Sequence, residues 1–79
     1  MFRVNINDTF FDVKFQYKII ENSRATVCSI NDRPFGCAYC NPKDQFMKSK
    51  GRKIALTRTL EDLKFDKKSR AKFWEEYFK

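Results

Sequence analysis

Apolar and polar residues alternate from Phe11 to Ile19, with Phe11, Val13, Phe15, Tyr17 and Ile19 on one side and Asp12, Lys14, Gln16 and Lys18 on the other. That period of two predicts a half-buried strand. The polar stretch Glu21-Asn22-Ser23-Arg24 suits a turn, and the β-branched run Thr26-Val27-Cys28-Ser29-Ile30 suits a second strand. Asn31-Asp32-Arg33-Pro34 signals another turn, after which Phe35 to Tyr39 would form a third strand. A first loop centred between Asn22 and Ser23 sets Phe15 opposite Ile30 and Tyr17 opposite Cys28. A second centred between Asp32 and Arg33 sets Ile30 opposite Phe35 and Cys28 opposite Cys37.

Beyond Pro42 the period changes to that of helices. A short helix is expected to run to about Lys50 with Gly51 as its stop, Asn41 as its N-cap and Pro42 at its first position. Arg52 to Lys64 reads as a second helix whose Leu56, Leu60 and Leu63 share a core face, with Ile54 and Arg58 projecting roughly opposite. Asp66 can cap a third, in which Phe73, Trp74, Tyr77 and Phe78 form an aromatic arc. Such an arc serves a core, or else base stacking or a protein contact.

With 79 residues there is room for one core and a single domain over residues 1–79. A chain this short is expected to need an added staple. No histidine is present, which removes Ser-His and Cys-His nucleophile pairs and the usual proton shuttle at neutral pH. The first residues, Met1 to Asp8, lack the apolar core of a secretory signal, and no stretch approaches a membrane span. A cytoplasmic protein is expected.

The net charge of +7 is unevenly placed: residues 1–42 hold five Lys/Arg against four Asp/Glu, and residues 43–79 twelve against six. Lys43, Lys48, Lys50, Arg52, Lys53 and Arg58 are opposed locally only by Asp44. Such a segment can neutralise phosphates, or serve only as a solvated face.

Three cysteines, an odd number, argue against a closed disulfide framework. The expected pairing makes neighbours of Cys28 and Cys37, and Cys40, in a C-x2-C spacing, can turn its sulfur back toward them. Three thiolates on one spot suit a tetrahedral Zn2+ with ligands at about 2.0 to 2.3 Å. Asp44 is the nearest carboxylate for the fourth position, with Asp8, Asp12 or water as weaker choices, although Asp44 also suits the first turn of a helix. The alternative for the cysteines is that they are small buried hydrophobes. Thiolate charge blunts the Lewis acidity of zinc, so such a site would be structural, worth on the order of 10 kcal/mol of folding free energy.

The stretch Gly36 to Leu60, above all Asn41-Pro42-Lys43-Asp44-Gln45-Phe46 and Gly51-Arg52-Lys53-Ile54-Ala55, resembles one seen in small early proteins of bacteriophages. Together with the size, the missing histidine and the cysteine arrangement, it is similar to phage-encoded type II-A anti-CRISPR proteins, inhibitors of the host's RNA-guided Cas9-type nuclease. The resemblance covers about a third of the chain. It implies a hairpin wrapped by short helices with a bound metal, ligand roles for Cys28, Cys37 and Cys40, the nuclease as partner and the host bacterial cytoplasm as the place of action. A DNA mimic would be acidic, so a basic chain would instead block a domain movement or grip exposed guide-RNA phosphates through Lys48, Lys50, Arg52, Lys53 and Arg58.

The expectation is therefore an α+β domain, a three-stranded antiparallel meander with two or three short helices on its apolar face, stapled by zinc. It would act by binding, as a nuclease inhibitor without chemistry of its own. A small zinc-stabilised nucleic-acid-binding phage regulatory protein is the alternative.

Overall fold

The computed structural model describes residues 1–40 and 47–79. Four strands, β1 (Phe2–Ile6), β2 (Thr9–Ile20), β3 (Ser23–Ile30) and β4 (Arg33–Cys40), form an antiparallel sheet in chain order. Two helices follow, α1 (Lys48–Asp62) and α2 (Lys67–Tyr77). The α+β architecture is as expected, with one strand more in the meander. That extra strand, β1, alternates Phe2, Val4 and Ile6 with Arg3 and Asn5 and pairs Val4 with Phe11.

All three hairpins turn on two residues with positive φ: Asn7-Asp8, Glu21-Asn22 and Asn31-Asp32. Left-handed backbone at both turn positions matches the right-handed twist of the flanking strands, and Asn and Asp tolerate it better than most residues. An isoleucine precedes each turn, at Ile6, Ile20 and Ile30. The second turn is centred one position earlier than expected, so Phe15 faces Cys28 rather than Ile30. A two-residue slip of this kind leaves every side chain on its predicted face.

The third hairpin departs in a way that matters more. Near its turn Ile30 pairs with Arg33 and Ser29 with Pro34, but Val27 then pairs with Cys37 and Thr26 with Ala38. Opposite Cys28, β4 therefore spends two residues, Phe35 and Gly36, and this bulge turns the rest of the strand over. Gly36 and Ala38 become buried, and Phe35 packs against the core.

Helix α1 lies on β3 and β4, while α2 packs on β1. Both glycines stand where α1 meets the sheet. A Cβ on Gly36 would overlap the Ala55 carbonyl oxygen, and one on Gly51 would come within 2.5 Å of Thr26 Oγ1. Gly51 therefore does not stop a helix; α1 runs through it because a bare backbone lets the helix rest on Thr26. The hydroxyl of Thr26 is buried there without a hydrogen-bond partner among the described residues. The helix start expected around Asn41 and Pro42 lies outside the described residues.

The expected leucine face holds: Leu56 and Leu60 are fully buried, with Leu63 packed at the margin. Ile54 does not project outward with Arg58 but packs against the core as well. At its end α1 closes in a Schellman turn, with Lys64 N–H donating to Glu61 O at 3.1 Å and Phe65 N–H to Leu60 O at 3.3 Å. Lys64 takes the left-handed position, φ 56°. Asp66 then caps α2 as expected, its Oδ1 accepting from Ser69 N–H at 2.9 Å. Phe73 from α2 is the largest fully buried side chain among the described residues, gripped by Phe11 and Phe65 with ring centroids 5.8 and 5.0 Å away. No helix among the described residues is long and apolar enough to cross a membrane.

Candidate functional site

The expected meeting of the cysteines does not occur, and the bulge is the reason. Cys28 is fully buried on the helix-facing side of β3, opposite Phe15. Cys37, paired with Val27, stands on the other side of the sheet, where its thiol meets the Tyr39 hydroxyl and pushes that phenol up from its ordinary value. Cys40 is opposite Arg24. It shares the face of Cys28, but four residues of strand separate Arg24 from Cys28, about 13 Å at the rise of a β-strand. Without the bulge, Cys37 would face the helices with Cys28.

Of the carboxylates considered as a fourth ligand, Asp44 lies outside the described residues. Asp12 is taken by Arg3, whose Nε donates to Oδ1 at 2.6 Å and holds that carboxyl below its usual range. Asp8 sits in the first turn, at the opposite end of the sheet from Cys40. No group of three His, Cys, Asp or Glu side chains that could hold a metal ion occurs among the described residues. Among the described residues, Cys28, Cys37 and Cys40 do not converge as three ligands of a tetrahedral ion. Burial also pushes the Cys28 thiol up, partly offset by a hydrogen bond with Thr59, which disfavours a thiolate there.

The basic residues of α1 divide between its two flanks. Arg58 reaches the β4 side, where Nη1 donates to the Cys37 carbonyl oxygen at 2.6 Å. Lys50 is exposed. Lys48 and Arg52, one turn apart, both meet Tyr17: Lys48 Nζ lies 4.9 Å from the ring centroid, and Arg52 Nη1 donates to the hydroxyl at 2.8 Å. Bonding to the phenols of Tyr17 and then Tyr77 raises the Arg52 guanidinium further, so it stays charged at any ordinary pH.

Arg52 and Lys53 also line a cleft of about 460 Å3 between the first turns of α1, the end of α2 and the edge of the sheet. Its walls include Phe2, Phe15, Tyr77 and Phe78. Tyr77 stands edge-on to Phe2 and Phe15, with centroids 6.0 and 6.1 Å away. Phe78 stacks at 5.9 Å on Trp74, remains 65% exposed, and has Lys53 Nζ at 5.6 Å from its centroid. The one carboxylate in the lining, Glu76, is paired with Lys79 at 2.7 Å. An open, ring-lined cleft with cations at its rim can hold a planar group against an aromatic face and its anionic attachment against the cations.

The aromatic arc expected in the last helix is thus split, Phe73 to the core and Tyr77 and Phe78 to the cleft. Phe15 and Tyr17 are legible as apolar strand positions, Phe2 is not, and none of the three gives a sign of meeting Arg52, because they stand more than thirty residues from it in sequence. Comparison with protein-family models, with curated proteins and with solved structures finds no match to this chain.

Proposed function

We propose that this protein works by binding rather than by chemistry of its own, and that it binds nucleic acid through the cations of α1 and the rings around them. The observation that carries the proposal is the placing of Arg52 and Lys53 at the rim of a cleft walled by Phe2, Phe15, Tyr77 and Phe78. Cations alone would be compatible with a solvated face. Cations set beside half-buried rings and one largely exposed ring, Phe78, match the phosphate and the base of the same polymer. The net charge of +7 acts in the same direction at long range.

The resemblance to phage anti-CRISPR proteins supports a narrower form, in which the nucleic acid is the guide RNA of a host Cas9-type nuclease. The protein then inhibits the nuclease in the bacterial cytoplasm by occupying exposed guide-RNA phosphates, not by imitating DNA. Lys48, Arg52 and Lys53 form the grip, with Lys50 and Arg58 as outlying contacts. This grip is built from side chains alone and calls on no metal ion.

Binding to guide-loaded and guide-free nuclease, each over a range of salt concentrations, tests the proposal. The loaded complex is expected to bind, with log K falling linearly against log salt by about 0.7 for each single-stranded phosphate neutralised. Equal binding to the guide-free protein, or a flat salt response, overturns it. Binding to naked RNA with no effect on the nuclease favours the regulatory nucleic-acid-binding protein instead.

A further inference from the structure

We infer that the cleft between α1 and α2 seats one unpaired base, stacked on Phe78, so that the ligand is single-stranded rather than duplex. The inference rests on the nucleic-acid reading above and adds which form of the polymer is recognised. Three features lead to it. The first is size: about 460 Å3 lies within the range of sites that hold a molecule of nucleotide dimensions, and a double helix cannot enter a space of that kind. The second is the state of Phe78. It is backed by Trp74 at an interplanar angle of 25°, so one face is supported while the ring as a whole stays largely exposed. A base inside a duplex has both faces covered by its neighbours, so away from a duplex end it takes an unpaired, unstacked base to present a face to this ring.

The third feature is polarity across the cleft. Lys53 stands over Phe78, and Arg52 lies beside it one residue earlier on α1, so a phosphate bonded to these two places its base toward the ring. Glu76, on the α2 side, is held by Lys79 and keeps acceptor capacity for an amino group on a base edge. The arrangement therefore orients a nucleotide and does more than attract charge. An acidic peptide would satisfy the cations but would leave the face of Phe78 unused.

Trp74 is the only tryptophan and underlies Phe78, which makes its fluorescence a local reporter. The experiment titrates the full chain with a short oligocytidylate and with an RNA duplex of equal length, following that signal. Expected are quenching by the single strand, much weaker binding of the duplex, and about a tenfold loss of single-strand affinity in Phe78→Ala with its salt slope unchanged. Arg52→Gln should lower the slope instead. Phe78→Leu, which keeps bulk without a π face, should resemble Phe78→Ala, and Phe78→Trp should restore binding; the pair separates stacking from any loss of helix stability. Equal affinity for both RNA forms with Phe78→Ala neutral overturns the base seat and leaves nucleic-acid binding standing. No binding of either RNA, with the guide-free nuclease or an acidic peptide bound instead, overturns both.

Discussion

Gly36 lies directly beneath Thr59: its N–H donates to Thr59 Oγ1 at 2.8 Å, and the same hydroxyl donates to Ala55 O at 2.8 Å. One buried threonine thus joins the bulge in β4 to the backbone of α1, its hydroxyl accepting from one and donating to the other. Because a Cβ at Gly36 would overlap the Ala55 carbonyl, Gly36→Ala must push α1 off the sheet or undo the bulge. A loss of about 1–3 kcal/mol is expected in chemical denaturation. An unchanged midpoint would mean that the helix does not rest on this residue.

The cysteines should behave as separate groups. Cys28 is buried in the core with a raised pKa, whereas Cys37 borders the opposite surface, so a thiol reagent should label Cys37 in the native state and reach Cys28 only on unfolding. Treatment with a strong chelator should leave the melting temperature where it was. A cooperative loss of structure with release of about one zinc per chain would show that the sulfurs are held together after all.

Lys64 occupies the left-handed position that ends α1, where a side chain costs about 1 kcal/mol relative to glycine. Lys64→Gly should therefore raise stability by roughly 0.5–1 kcal/mol, less whatever the freer unfolded chain takes back. Thermal melting reads this directly.

Acid should loosen α2 through its cap. Asp66 accepts from the Ser69 hydroxyl and N–H, which holds its carboxyl below the ordinary range. A depressed folded pKa means that the contribution is complete above the unfolded value of about 4 and is lost as pH falls through the folded value. Asp66→Asn retains a capping oxygen without a titrating proton, so its melting temperature should fall less steeply than that of the parent as pH drops below about 4. Parallel acid limbs would count against the cap.

How far the sequence was legible depends on how local each signal is. The strand alternation around Val13, the leucine face of α1 and the Asp66 cap are short-range features, and they appear as read. Strand β1 was missed as a partner in the meander because five residues with three apolar positions form a weak pattern until Phe11 and Val13 stand beside them. Gly51 looked like punctuation because glycine usually ends helices; here it answers to Thr26, which is distant in sequence. The largest error came from one residue. A single extra position in β4 exchanged the faces of Cys37 and Ala38, and nothing in Arg33-Pro34-Phe35-Gly36 announces it until α1 is present to require a bare backbone at Gly36. The cleft was half legible: Arg52, Lys53 and the final aromatic arc drew attention separately, and folding placed them together.

Met1 and Lys79 both line that same cleft. Anything fused ahead of residue 1 or behind residue 79 is consequently tethered at its mouth, competing with a ligand for the space or shielding it. A probe, label or affinity handle is better inserted at the Asn31-Asp32 hairpin, which belongs to another part of the sheet and whose two residues are exposed.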